Sequence, residues 1–203
     1  MIVKLYEKNP DQKIIQEVVD LLERGGVIIY PTDTVYGIGC DITKARAVER
    51  VARIKGIKPE KANFAFICSD LSHLSDFAKQ VDNHTFKLMK SYLPGPYTFI
   101  LNANSNVPKL LKQNKKTVGI RVPDNNIILE IVRHLGRPIL TTSLKEDDEI
   151  LEYSTDPELI HEKYNELVDL VIDGGYGGVI PSTIIDCTGD EPVLERAGLG
   201  EVD

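Results

Sequence analysis

Four short segments of this chain end in side chains able to hold a small polar ligand. They are Thr32-Asp33-Thr34, Thr117 to Arg121, Thr141-Thr142-Ser143 and Pro181-Ser182-Thr183. Hydroxyls donate and accept, so groups of them suit amino acids and phosphates. Arg121 adds a planar fork that matches a carboxylate. Lys55 and Arg196 add cations that can neutralise phosphate charge. Taken singly, each hydroxyl pair also fits a turn or a helix cap. Their recurrence at the ends of apolar runs favours a shared crevice, because adjacent strand ends converge.

Other chemistries lack their residues. The sequence has no Gly-x-x-x-x-Gly-Lys-Ser/Thr loop and no Rossmann glycine fingerprint. Gly174-Gly175-Tyr176-Gly177-Gly178 precedes a strand and reads as a flexible turn. His73, His84, His134 and His161 show no metal spacing and read as surface or capping residues. No nucleophile-base-acid triad is suggested. Cys40, Cys68 and Cys187 are far apart and odd in number, without zinc spacing or a disulfide framework. They read as small buried hydrophobes of a reducing cytoplasm, with Cys40 the exception to watch.

The elements that must position these groups alternate irregularly. Asp11 caps a helix whose apolar residues Ile14, Ile15, Val18, Val19 and Leu22 recur at helical spacing, closed by Gly25 and Gly26. Val27 to Tyr30 is a buried strand running into Pro31 to Gly39. Thr43 to Lys55 is a helix, and Phe64 to Ile67 a short strand. Asp70 and Asp82 read as caps of two further helices, the second ending near Tyr92. Tyr97 to Leu101 and Thr117 to Val122 are strands. Asn125 to Leu135 is a helix closed by Gly136, and Pro138 to Thr142 a strand. Asp156-Pro157-Glu158 starts a helix. Leu170 to Ile172 and Thr183 to Asp186 are late strands. Lys145 to Tyr153, acidic and without periodicity, reads as a mobile loop. The pattern gives an α/β fold around a twisted, mixed sheet.

The 203 residues fit one domain, residues 1–203, with no repeat or linker. A hydrophobic content of 42% allows a sizeable core. No stretch approaches a membrane span of about 18 apolar residues, and the N-terminus lacks a signal peptide's apolar core. A cytoplasmic protein is expected. The net charge of −7 argues against broad, nonspecific nucleic-acid binding but leaves room for a local basic cavity.

The order Pro31-Thr32-Asp33-Thr34-Val35-Tyr36-Gly37-Ile38-Gly39 resembles a signature of the YrdC-like family, the threonylcarbamoyl-AMP synthases and their relatives. The resemblance extends from about Arg24 to Gly198. It includes Leu93-Pro94-Gly95-Pro96-Tyr97-Thr98-Phe99, Gly119-Ile120-Arg121-Val122-Pro123, Ser182-Thr183-Ile184-Ile185-Asp186 and Arg196-Ala197-Gly198. It implies a twisted open α/β fold, helices flanking the sheet, with a large concave cavity. It implies a nucleotidyltransferase that joins L-threonine, bicarbonate and ATP into threonylcarbamoyl-AMP for modification of tRNA adenosine 37, releasing pyrophosphate. Mg2+ would travel with the ATP rather than sit in a protein cage.

Carried over by residue, the resemblance puts Thr34, Arg121, Thr142 and Ser182 around a threonine-like substrate, and Thr32 is added beside Thr34. It puts Lys55, Thr117, Ser143 and Arg196 around ATP, and Lys58 and Lys145 are added there as candidate cations. No catalytic residue is assigned, since positioning and stabilised phosphate charge suffice for this reaction.

Three departures stand out. The family's Lys-x-Arg appears as Lys55-Gly56-Ile57, and its Ser-x-Asn as Ser143-Leu144-Lys145. A histidine expected on the strand at Phe64 to Ile67 is replaced by Phe66. Losing a charge-assisted phosphate contact costs roughly 1.5–3 kcal/mol. Lys58, Lys61 or Lys145 could supply another cation. The departures resemble the YciO subgroup, as do Ser69-Asp70-Leu71-Ser72, Phe86-Lys87-Leu88-Met89-Lys90 and Thr142-Ser143-Leu144. A weak or altered synthase is the leading expectation. The alternatives are a double-stranded-RNA or tRNA binder without turnover, using Lys109, Lys112, Lys115 and Lys116, and adenylate transfer to another small acceptor.

Overall fold

A computed structural model of the chain describes residues 1–58, 64–107, 116–144 and 152–202. Among them, ten strands form one mixed sheet: β1 (Ile2–Lys4), β2 (Val27–Tyr30), β3 (Gly37–Asp41), β4 (Ala65–Ile67), β5 (Tyr97–Asn102), β6 (Thr117–Arg121), β7 (Ile139–Ser143), β8 (Leu170–Asp173), β9 (Thr183–Asp186) and β10 (Val193–Arg196). Their order across the sheet is β1-β8-β2-β3-β7-β4-β6-β5-β9-β10. Parallel and antiparallel pairs mix: β4 runs parallel to β6, whereas β7 runs antiparallel to both β3 and β4. The helices are α1 (Gln12–Glu23), α2 (Ala45–Ile54), α3 (Asn83–Tyr92), α4 (Asn126–Leu135), α5 (Glu152–Thr155) and α6 (Pro157–Tyr164).

Local chemistry explains most boundaries. Asp11, Asp82, Asn125 and Asp156 each accept backbone N–H bonds at a helix start. Gly136 closes α4 in the left-handed region, at φ 71°. Asp70 is different. Its carboxylate accepts the backbone N–H of Ser72 and closes a turn, followed only by a short 3-10 turn over Leu74–Asp76. The expected helix there does not form, because an Asx turn satisfies the same acceptor.

Residues 145–151 of the expected loop lie outside the described residues. Its last two residues, Glu152 and Tyr153, are instead helical, in α5, which leads into α6. The sequence reading also missed three strands, β1, β3 and β10. Among the described residues no helix is long and apolar enough to cross a membrane.

The two sheet faces are packed differently. Leu140, Phe66, Ile120 and Phe99 point into one core, shared with Val48 and Val51 of α2 and Met89 of α3. Ile28, Tyr30, Ile67 and Ile139 point into the other, beneath Val18 and Leu22 of α1 and Ile128 and Ile131 of α4. On that second face Ala65, Thr117, Gly119, Ser143, Ile100 and Ile184 stay partly exposed. The helices thus cover only part of it.

Candidate functional site

The partly open face has a floor of small residues. Thr141 of β7 pairs with Gly39 on one side and Ala65 on the other, and Ala65 pairs with Gly119. Paired residues share a face, and side chains alternate along each strand. Thr117, Gly119 and Arg121 of β6 therefore point the same way as Thr141 and Ser143 of β7. Thr142 alternates to the opposite face, with Leu140. Thr142, expected beside the amino acid, is thus on the face away from Arg121, and its neighbour Thr141 is on the floor.

Arg121 anchors one end. Its Nη2 donates to Asp33 Oδ1 and to Thr34 Oγ1, each at 3.1 Å. Its Nε is buried and, among the described residues, has no hydrogen-bond partner. Burial holds the guanidinium pKa below its ordinary value, against the neighbouring Asp33 charge. Asp33 Oδ2 accepts the backbone N–H of Asp124 at 2.9 Å. Burial raises the Asp33 pKa, with Arg121 and the Asp124 N–H pulling the other way.

The loop that carries Asp33 is itself fixed. Thr32 Oγ1 donates to the Val35 carbonyl at 2.7 Å, accepts the Thr34 N–H at 3.1 Å, and lies 3.1 Å from Thr34 Oγ1.

The other wall comes from β5, β9 and β10. Thr98 Oγ1 and Ser182 Oγ share a hydrogen bond of 2.9 Å. Arg196 Nη2 donates to the Ser182 carbonyl at 2.7 Å. Thr183 belongs to the scaffold: it is fully buried and donates to the Gly200 carbonyl at 2.6 Å. Along the rim, Lys55 Nζ donates to the Leu144 carbonyl at 3.3 Å, and Ser143 pairs with Gly37. Lys58 is exposed. Lys61, Lys145 and the basic residues Lys109, Lys112 and Lys115 lie outside the described residues.

Thr32, Thr34 and Arg121 thus meet directly, as do Ser182 and Arg196. Three further residues were missed as individual sites: Tyr30, Thr98 and Thr141. Tyr30 donates to Thr141 Oγ1 at 2.6 Å across 111 residues of sequence, a link no local pattern reveals.

The glycine-rich turn is tied down rather than loose. Gly177 N–H donates to the Thr155 carbonyl and Gly178 N–H to the Thr34 carbonyl, both at 2.8 Å. A Cβ on Gly178 would lie 2.4 Å from that Thr34 oxygen.

Other residues singled out in the sequence lie away from the site. Phe66 is buried on the opposite face, edge-on to Phe77 with ring centroids 5.4 Å apart. Cys40 is fully buried in the same core, and burial pushes its thiol up to about 12. His134 bonds the Glu130 carbonyl one turn away.

A family model for Sua5/YciO/YrdC, described as "Telomere recombination", matches residues 20–198. The chain belongs to this family. It is 45% identical to Escherichia coli YciO over 200 residues, covering 98% of this chain and 95% of that protein. The crystal structure of E. coli YciO superposes with a TM-score of 0.90 at 43% identity, over 99% and 97% of the two chains. A threonylcarbamoyl-AMP synthase of Methylobacillus flagellatus is 33% identical over 81% of this chain and 90% of its own. Pyrococcus abyssi Sua5 complexed with L-threonine superposes with a TM-score of 0.87 at 28% identity, over 98% of this chain and 57% of that one.

Proposed function

We propose that this family member is a diverged nucleotidyltransferase of the threonylcarbamoyl-AMP synthase type, using L-threonine, bicarbonate and ATP. The observation that carries the proposal is Arg121: a buried guanidinium with an unpartnered Nε, beside the hydroxyls of Thr32 and Thr34. A buried cationic donor left unbonded is costly unless a ligand completes it. A carboxylate suits this cation by charge: it accepts one N–H directly, and two where it displaces Asp33 or Thr34 from Nη2. The related P. abyssi Sua5, crystallised with L-threonine, supports an amino acid as the owner of that carboxylate.

In this reading Arg121, Thr34, Thr32 and Ser182 hold the amino acid, and Arg196, Lys55, Thr117 and Ser143 face the phosphates. Lys58 and Lys145 remain candidate cations on the phosphate side. The threonine amine attacks bicarbonate, water leaves, and a carbamate forms. A carbamate oxygen then attacks the α-phosphorus of ATP, and pyrophosphate departs with the electron pair of the broken P–O bond. The residues named donate hydrogen bonds or carry positive charge, which suits an anionic transition state. Mg2+ would arrive on the ATP phosphates, since this set offers hydroxyls and cations rather than carboxylates.

The test is pyrophosphate release by the purified protein. The expected result is release that needs ATP, bicarbonate and L-threonine together. Release that ignores L-threonine, or responds better to another amine, would overturn the substrate assignment.

A further inference from the structure

Tyr30 is an unusual end for a buried strand. It is fully buried, and its ring lies against β3 where Gly37 and Gly39 have no side chains. A Cβ on Gly37 would lie 2.9 Å from the ring, and one on Gly39 2.9 Å from the phenol oxygen. The two glycines leave room for an aromatic ring whose hydroxyl then reaches Thr141. Phenylalanine would fill the same space, so packing alone does not account for the hydroxyl.

The hydrogen-bond direction matters. A phenol has one proton, and Tyr30 gives it to Thr141 Oγ1. Burial raises the Tyr30 pKa further above its ordinary value, so the phenol keeps that proton at any working pH. Thr141 Oγ1 is therefore an acceptor towards Tyr30, and its own proton must point elsewhere. Among the described residues Thr141 Oγ1 has no other hydrogen-bond partner. Its register neighbour Ala65 and, one strand further, Gly119 are small and partly exposed. Thr141 is itself buried, 3% exposed, so a ligand atom reaches it only past these small residues.

We propose that Tyr30 and Thr141 form a donor relay: Tyr30 is a positioning residue that fixes the Thr141 hydroxyl as a donor to a ligand oxygen. The floor then presents a proton to an oxygen acceptor, such as a carboxylate. Arg121 lies on the same sheet face, in the row of Ile67 and Ile139 next to the row of Thr141, Ala65 and Gly119, so Arg121 and the relay read the same anionic end of a ligand. This assignment deepens the proposed function and rests on it for the identity of the amino acid.

The test uses protein labelled with 13C at threonine methyl groups, titrated separately with sodium acetate and L-threonine, with calorimetry in parallel. The expected result is a shift of the Thr141 methyl signal with both ligands. Thr141→Val should weaken L-threonine binding about five- to tenfold, and Thr141→Ser should restore it. Tyr30→Phe should weaken it less. Tyr30→Phe combined with Thr141→Val should lose no more than Thr141→Val alone, a non-additivity that independent structural damage would not give. Thermal midpoints of each variant check the fold. L-threonine binding by calorimetry with an unmoved Thr141 signal, or fully additive losses, would overturn the relay and leave the functional proposal standing. A Thr141 shift with acetate but no binding of L-threonine would leave the relay standing and overturn the amino-acid assignment. No shift with either ligand would overturn the relay.

Discussion

Arg121 and Asp33 form a nearly enclosed ion pair, Nη2 to Oδ1 at 3.1 Å, with each side chain only 10% exposed. The pair joins the end of β6 to the loop between β2 and β3. The same guanidinium that we assign to a substrate carboxylate already answers to one from the protein. Asp33 keeps the buried charge neutralised when no ligand is present.

Removing one partner should therefore cost more than removing both. Arg121→Met should destabilise the protein by roughly 3 kcal/mol, because it leaves Asp33 without its counter-charge. Combining it with Asp33→Asn should recover part of that loss. Urea denaturation of the two single variants and the double variant measures the coupling. Additive losses would mean the pair is electrostatically idle.

Asp41 and Asp33 should give opposite pH slopes. Asp41 is fully buried, which alone would raise its pKa, but hydrogen bonds from Arg137 and Thr43 outweigh burial and lower it. Its stabilisation is then present above the ordinary aspartate value of 3.8 and lost as the pH falls towards the folded-state value. For Asp33 burial wins and the pKa is raised. The folded state holds the extra proton just above 3.8, so stability declines as the pH rises through that window. Asp41→Asn should lower neutral stability and flatten the acid limb. Asp33→Asn should remove the opposing slope. Denaturation midpoints measured across acid pH check both signs.

Gly39→Ala should prevent normal packing of the site. The added Cβ would sit 2.0 Å from the Leu140 carbonyl and 2.9 Å from the Tyr30 hydroxyl. Backbone on β7 cannot yield as a flexible side chain can. The expected outcome is a loss of several kcal/mol, read as a large drop in thermal midpoint. Gly189→Ala, where an added Cβ meets nothing within 4 Å, is the control and should change little.

The sequence made the hydroxyl-bearing strand ends and Arg121 visible, because short apolar runs ending in polar residues mark buried strands. It hid β3, whose glycines look like a turn until the Tyr30 ring needs the space beside them. The residues offered Thr141, Thr142 and Ser143 together, the resemblance singled out Thr142, and neither says which face a residue takes. Only the pairing of Thr141 with Gly39 and Ala65 fixes that. Asp70 misled for the opposite reason: a good capping residue also closes a turn. The replacement of a family histidine at Phe66 looked like a change in the ligand site, yet Phe66 packs in the far core.

The most direct test supplies 13C-bicarbonate with ATP, Mg2+ and L-threonine and looks for labelled threonylcarbamoyl-AMP by mass spectrometry. The account predicts a labelled product that depends on the protein and disappears in Arg121→Ala variants that remain folded. Persistence of product at an undiminished level without Arg121, or no labelled product from wild-type protein that binds ATP and L-threonine, would contradict it.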